Sequence, residues 1–76
     1  MSEFDQEVDA TGLNCPLPIL RCKKAMNKLA SGQILKVLAT DGGSPKDFEA
    51  YCKQTGDELL SSKENSNTFI FLIKKK

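Results

Sequence analysis

The chain has 76 residues, of which 39% are hydrophobic and 28% charged, a balance typical of one small folded domain rather than of a disordered segment. Its formal net charge of +1 argues against strong nonspecific attraction to nucleic acid or to an anionic membrane. No apolar run approaches the ~20 residues that cross a bilayer, and the polar, acidic N-terminus does not resemble a signal peptide. We therefore expect a single domain over residues 1–76, located in the cytoplasm.

The first half of the chain predicts a strand, a helix and a second strand. Residues 3–10, EFDQEVDA, alternate loosely between polar and apolar and predict the first strand. A helix is predicted from Cys15 onward, with Gly32 just past its end. Its apolar stripe comprises Ile19, Cys22, Met26 and Leu29, broadened by Leu20 and Ala25. Residues 33–40, QILKVLAT, are apolar on both sides of the alternation and predict a central strand.

The segment after residue 43 predicts a second helix. Ser44 suits the N-cap, Pro45 the first helical position, and Asp47 the place of a reciprocal capping acid. We expect this helix to end at Gly56. Its apolar side carries Phe48, Tyr51, Cys52 and Thr55 at helical spacing.

The remaining residues predict two further strands. A weaker third strand is predicted over residues 57–63, DELLSSK. A turn follows at residues 64–67, ENSN. The fourth strand, with a basic tail, is predicted over residues 68–76, TFIFLIKKK. The order is thus βαβαββ. With two helices, the economical fold is an α/β (α+β) two-layer sandwich, in which a mixed four-stranded sheet carries both helices on one face.

The three cysteines differ in their surroundings. An odd number cannot pair completely within one chain, so we expect thiols rather than a disulfide framework. Cys22 lies about 10.5 Å along the helix from Cys15, too far for a disulfide bond. Cys22 and Cys52 lie on the apolar sides of their helices and are predicted to be core residues. The sequence has no histidine and no C-x-x-C pair, so neither a metal site nor a cofactor is predicted.

Cys15 stands at the predicted start of the first helix. With Cys15 as N-cap, Pro16 takes the first helical position and Pro18 the third, where backbone N–H groups lack intrahelical partners. Leu17 would then be the principal free donor of this turn. The positive end of a helix can lower the pKa of a thiol by roughly one unit. Pro16 and Pro18 remove two of the N–H groups that make this end positive, so rigidity and exposure of the sulfur explain them better than a maximal lowering of the pKa. Cys15 is therefore either a preorganised, exposed nucleophile or, alternatively, a small buried capping residue.

The motif CPLP, residues 15–18, resembles the C-P-x-P signature of the TusA/SirA family of small sulfur-carrier proteins. The similarity extends over VDATGLNCPLPILRCKKAM, GQILKVLATD and FIFLIKK, which together cover nearly the whole chain in the family's order. The resemblance implies a single TusA-like domain with the βαβαββ sandwich fold. It also implies that Cys15 carries sulfur as a persulfide, with Pro16, Leu17 and Pro18 as supporting motif residues.

The resemblance further implies protein partners. A sulfur donor, such as a cysteine desulfurase or a rhodanese, would load the carrier, and a cysteine of a sulfur-accepting protein would unload it. The family's destinations include tRNA thiolation, molybdenum-cofactor maturation and sulfur oxidation. Arg21, Lys23 and Lys24 would form a basic rim for acidic partners and for the persulfide anion, although each also fits the solvated face of an amphipathic helix.

Two other classes of function remain open beside the leading sulfurtransferase hypothesis. A nucleic-acid-binding or regulatory module without covalent chemistry needs exposed aromatic residues among basic ones. Most of the five aromatic residues fit core patterns instead, so no direct nucleic-acid partner is expected: Phe4, Phe48, Tyr51, Phe69 and Phe71. A redox-sensing regulator would form a disulfide between Cys15 and another cysteine after exposure to peroxide.

Overall fold

The computed structural model describes residues 4–14 and 17–76. Their elements are β1 (Gln6–Ala10), α1 (Leu17–Met26), β2 (Ile34–Ala39), α2 (Ser44–Thr55), β3 (Glu58–Asn65) and β4 (Thr68–Lys74). The strands form one mixed sheet in the order β1-β2-β4-β3, with β1 parallel to β2 and the other neighbours antiparallel. The predicted βαβαββ order and mixed four-stranded sheet are confirmed. No helix in the described ranges has both the length and the apolar character to cross a membrane.

The core lies between the sheet and the two helices. In β2, Leu35, Val37 and Ala39 are fully buried, and they alternate with half-buried residues on the other face. Ile73 and Phe71 of β4 pair with Leu35 and Val37 and are buried on the same side. The helices complete this cluster with Cys22, Met26, Phe48, Tyr51 and Cys52. Because side chains alternate across a strand, one face of the sheet is covered by both helices, as predicted.

Helix α1 is shorter than the sequence pattern predicts, since it ends at Met26 rather than near Gly32. Lys28 N–H donates to the Ala25 carbonyl at 3.0 Å and Leu29 N–H donates to the Met26 carbonyl at 3.0 Å, so tighter three-residue turns replace the helix. Leu29 remains buried. The apolar periodicity therefore continues past the point where the helical backbone stops.

Helix α2 begins at Ser44, one residue earlier than predicted. Its N-cap is Gly43, so Ser44 is the first helical residue and Pro45 the second, and no side chain caps the helix start. The reciprocal capping predicted for Ser44 and Asp47 is therefore wrong. The predicted end is confirmed, because Gly56 adopts φ 83° and donates its N–H to the Cys52 carbonyl at 2.9 Å.

Strands β3 and β4 form a hairpin with a tight turn. Ser66 and Asn67 have φ values of 50° and 67°, the left-handed pair that a two-residue hairpin loop requires. β3 therefore extends to Asn65, which pairs with Thr68, and the predicted four-residue turn is shortened to two residues. The hairpin closes the sheet on the side away from β1.

Candidate functional site

The parallel strands β1 and β2 end side by side, with Ala10 opposite Ala39, and the chain runs from each strand into a helix. Gly12 N–H donates to Thr40 Oγ1 at 2.8 Å and so joins the two connecting loops. The starts of α1 and α2 therefore lie at the same edge of the sheet. The carboxyl ends of parallel strands are a common position for functional sites in α/β proteins.

The loop before α1 is held by a local turn. The Asp9 carboxylate accepts hydrogen bonds from Thr11 Oγ1 at 2.6 Å and from Thr11 N–H at 3.0 Å. These hydrogen bonds, that from the Thr11 side chain first, lower the pKa of the Asp9 carboxyl group. Leu13 N–H donates to the Ala10 carbonyl at 3.3 Å. Together these contacts direct the chain out of β1 and towards the start of α1.

Helix α1 begins at Leu17, whose N–H donates to the Asn14 carbonyl at 2.8 Å. The expectation that Leu17 supplies a free backbone donor is therefore wrong. Pro18 is buried. Cys15 and Pro16 lie outside the described residues, so the predicted places of Cys15 at the N-cap, Pro16 at the first helical position and Pro18 at the third remain predictions.

Two leucine side chains are exposed on the first turn of α1. Leu17 is 45% and Leu20 is 51% exposed, and with Arg21 and Lys24 they line an open cleft of about 450 Å³. Leu20 was expected to broaden the buried stripe, and that prediction is wrong. Pro18, Cys22 and Met26 are the buried residues of α1, and their four-residue spacing turns Leu20 outward. The sequence contains no signal that would have identified Leu20 as a surface residue.

The predicted basic rim divides into two parts. Arg21 and Lys24 lie beside the exposed leucines, whereas Lys23 is exposed but is not among the described residues that line their cleft. Neither Arg21 nor Lys24 is within salt-bridge distance of a described carboxylate, since the ion pairs in the described ranges are Lys36–Glu7 and Lys53–Glu49. The first turn of α1, from Leu17 onward, contains no acidic residue. Arg21 and Lys24 therefore carry positive charge that no direct ion pair within the described ranges neutralises.

The two described cysteines are buried thiols. Cys22 is fully buried, and burial followed by the neighbouring Cys52 raises its pKa to about 12. Cys52 is 7% exposed, and burial followed by the charge of Asp57 raises its pKa to about 11. Both therefore stay protonated and poorly nucleophilic near neutral pH. The prediction that Cys22 and Cys52 are core residues is confirmed.

The aromatic residues offer little surface for stacking on bases. Phe48, Tyr51 and Phe71 are buried in the core between sheet and helices. Phe69 is half-buried and packs against this core, and Phe4 lies beneath the ammonium group of Lys36 at 5.0 Å. This arrangement gives no support to the nucleic-acid-binding alternative, which needs exposed aromatic platforms.

Comparison with known proteins supports the resemblance inferred from the sequence. Residues 6–75 match the family model described as sulfurtransferase TusA. The sulfur carrier protein TusA of Allochromatium vinosum is 65% identical over 75 residues, which is 99% of each chain. The sulfur carrier protein TusA of Pseudomonas putida strain GB-1 is 42% identical, over 100% of this chain and 98% of its own length.

The fold also has a counterpart among solved structures. The crystal structure of a SirA-like protein from Desulfitobacterium hafniense superposes with a TM-score of 0.78, at 24% sequence identity, over 95% of this chain and 100% of that chain. That likeness concerns the fold, whereas the sequence matches extend over almost every residue. The chain therefore belongs to the TusA sulfurtransferase family.

Proposed function

We propose that this protein is a sulfur carrier that accepts sulfur as a persulfide on Cys15 and passes it to a cysteine of a second protein. The observation that carries the proposal concerns the other two cysteines. Cys22 and Cys52 are buried, with pKa values raised to about 12 and 11, so neither supplies a thiolate near neutral pH. Cys15 is the remaining thiol, and it precedes the first residue of α1 by two positions.

The transfer follows the chemistry of thiol–disulfide exchange. The Cys15 thiolate attacks the outer sulfur of a donor persulfide. A new S–S bond forms on Cys15 as the donor's S–S bond breaks, and the donor cysteine leaves as a thiolate. In the second step a thiolate of the acceptor attacks the outer sulfur on Cys15, and Cys15 leaves as a thiolate. The transferred sulfur keeps its oxidation state, so neither step needs an external oxidant or reductant.

The charges around the start of α1 support an anion at this position. A helix N-terminus favours negative charge by about 0.3–1 kcal/mol, and this start lies at the low end because Pro18 has no N–H and Leu17 N–H donates to Asn14. The first turn of α1 has no acidic residue. Arg21 and Lys24 add positive charge beside the exposed Leu17 and Leu20. In this proposal they stabilise the persulfide anion and, with Lys23, attract acidic partner surfaces.

The proposal requires two protein partners. The donor would be a cysteine desulfurase or a rhodanese, and the acceptor would carry sulfur towards tRNA thiolation, molybdenum-cofactor maturation or sulfur oxidation. A carrier of this kind is a sulfurtransferase only together with its partners. The exposed Leu17 and Leu20 give a partner apolar surface to cover beside Cys15, since apolar area removed from water contributes about 25 cal/mol per Å².

Intact-protein mass spectrometry tests the proposal. The protein is incubated with a cysteine desulfurase and cysteine, or with a rhodanese and thiosulfate, beside the variants Cys15→Ser and Cys52→Ala. We expect the unchanged protein and Cys52→Ala to gain the mass of one sulfur atom and to lose it under a reductant. Cys15→Ser should gain nothing while its circular dichroism stays that of the unchanged protein. Sulfur uptake by Cys15→Ser, or none by the unchanged protein from either donor, would disprove the assignment.

A further inference from the structure

The two edges of the sheet differ in how open they are to another strand. In the described residues β1 pairs on one side only, with β2, in an uninterrupted register from Gln6 opposite Leu35 to Ala10 opposite Ala39. Ile34 faces β1, because its carbonyl accepts from Asp5 N–H at 2.7 Å and its N–H donates to the Asp5 carboxylate at 2.8 Å. In a parallel pair a residue bonds to the two neighbours of the residue opposite it, and Gln6 lies opposite Leu35. The backbone groups of Gln6 and Val8 therefore bond to β2, and because the direction alternates, those of Glu7 and Asp9 point away from the sheet.

The opposite edge is protected. β3 contains a register shift between Leu59 and Ser61, which interrupts the regular ladder. It also has exposed charged side chains at Glu58, Lys63 and Glu64. Bulges and charges are the features by which proteins prevent edge strands from pairing with other chains. β1 is short and also has exposed charges at Glu7 and Asp9, but its register is not interrupted.

A groove of about 300 Å³ lies between β1 and α1. It is lined by residues 6–9 of β1 and, on the helix side, by Arg21, Lys24, Ala25 and Lys28. The three cations of this set are not within salt-bridge distance of any described carboxylate. The far side of β1 has the opposite charge, because Glu7 and Asp9 alternate with the core-facing Val8 and Ala10.

We propose that β1 binds an extended segment of a partner protein as an additional strand, and that this segment carries carboxylates at alternate positions. The outward backbone groups of Glu7 and Asp9 would pair with the segment, as in other cases of strand addition to a sheet edge. Its carboxylates would face Arg21, Lys24 and Lys28, and the alternate residues, beside Glu7 and Asp9, would be neutral or basic. This inference goes beyond the sulfur-carrier function and does not require Cys15 to carry sulfur.

A capped seven-residue peptide with alternating threonine and glutamate is a suitable probe. It is titrated into the ¹⁵N-labelled protein, and the amide chemical shifts give both the site and the dissociation constant. We expect the largest shifts at residues 6–10, and at least about threefold weaker binding of a threonine–lysine peptide because its charges oppose the groove. No binding of the glutamate peptide, or shifts confined to residues outside β1 and α1, would overturn the proposal.

The backbone contact is tested by Glu7→Pro and its matched control Glu7→Ala, which both remove the carboxylate. Proline also removes the outward N–H of residue 7 and leaves the bonds to β2 in place. We expect Glu7→Pro to bind the peptide about fivefold more weakly than Glu7→Ala does, as for the loss of one hydrogen bond. Equal affinities of the two folded variants would show that the peptide does not pair with this edge, and would overturn the proposal.

The charges are tested independently by Lys24→Glu, with Lys46→Glu on the exposed side of α2 as its control. Both variants change the net charge equally, so nonspecific attraction falls equally. We expect Lys24→Glu to weaken binding of the glutamate peptide at least about threefold more than Lys46→Glu does. Equal losses would overturn the proposal. Cys15→Ser should bind the peptide like the unchanged protein, so a failure of the sulfur-carrier function would leave this result intact.

Discussion

The first turns of the two helices lie at the same edge of the sheet and differ in almost every property. The residues at the start of α2 are buried or hydrogen-bonded within the protein. Gly43 N–H donates to the Asp41 carboxylate at 3.3 Å, Asp47 stands in the first turn, and Ser44 is buried. The start of α1 instead exposes Leu17 and Leu20 and has no acidic residue in its first turn.

This difference indicates which helix start is available for chemistry. Carboxylates near a helix N-terminus compensate its positive end. Asp41 and Asp47 do so at α2, and they would repel a second anion there. At α1 the described first turn has no carboxylate, and Arg21 and Lys24 lie beside it. The chain's own carboxylates therefore lie at the start of α2, whereas the described residues at the start of α1 include none, which agrees with the role proposed for Cys15.

The largest expected effect concerns how tightly each of the two helices packs against the core. Phe48 of α2 is fully buried and stacks on Phe71 with ring centroids 4.5 Å apart. We expect Phe48→Ala to lower the free energy of unfolding by about 3–5 kcal/mol, because it removes a large core side chain and leaves a cavity. Leu20→Ala, at the corresponding exposed turn of α1, should change it by no more than about 0.5 kcal/mol.

Urea unfolding followed by circular dichroism measures both variants. A loss above about 1 kcal/mol for Leu20→Ala would mean that the first turn of α1 is part of the core, against its 51% exposure. The comparison between the helix starts would then fail. If Leu20→Ala is as stable as the unchanged protein but accepts sulfur more slowly from a donor protein, the exposed turn is identified as a partner surface.

The second effect concerns thiol reactivity at the two helices. With pKa values of about 12 and 11, Cys22 and Cys52 form little thiolate at pH 8, and the fraction rises only as the pH approaches these values. We expect iodoacetamide to modify Cys15 at least roughly a hundredfold faster than either buried cysteine at pH 8. Peptide mapping by mass spectrometry at increasing times, with the urea-unfolded protein as the control for equal access, measures the three rates.

Comparable rates for Cys15 and Cys52 in the folded protein would contradict this prediction. They would remove the main support for assigning sulfur transfer to Cys15 alone. Equally slow modification of all three cysteines would also contradict the prediction, since that result would favour the alternative that Cys15 is a small buried residue.

Much of the fold was predictable because it depends on local patterns. The apolar, β-rich residues 33–40 predicted a central strand and residues 68–76 predicted the fourth strand, and helical spacing placed Cys22 and Cys52 in the core. The end of α1 was not predictable, since Leu29 continues the apolar spacing although the backbone has already left the helix. The spacing of apolar residues indicates which side chains are buried. A buried side chain can follow the end of a helix, so this spacing does not determine where the helical hydrogen bonds stop.

The candidate site was predictable only in part. The sequence identified α1 and its positive charges, but it could not distinguish Arg21 and Lys24, which line the cleft, from Lys23, which does not. Leu20 was placed wrongly because a helix's rotation about its axis is fixed by packing against the sheet, and a broad apolar stripe does not determine it. Ser44 was misplaced by one position, since Gly43 is the N-cap and the Ser44 side chain is buried.

The smallest expected effect compares how the two helices end. α2 ends at Gly56 in the left-handed conformation, whereas at α1 the ammonium group of Lys75 donates to the Met26 and Leu29 carbonyls at 2.8 and 2.6 Å. We expect Lys75→Ala to cost about 1.5–3 kcal/mol of unfolding free energy, the range for charged hydrogen bonds, and the exposed Lys74→Ala to cost no more than about 0.5 kcal/mol.

Urea unfolding measures both lysine variants, and amide hydrogen exchange locates the change. Because the lost contacts hold the end of α1, exchange in Lys75→Ala should accelerate around residues 26–29 and stay unchanged around Gly56. Uniform acceleration, or equal stability of the two variants, would show that Lys75 does not anchor α1. A selective effect would show that Lys75 anchors the C-terminal end of α1, the end opposite the exposed Leu17 and Leu20.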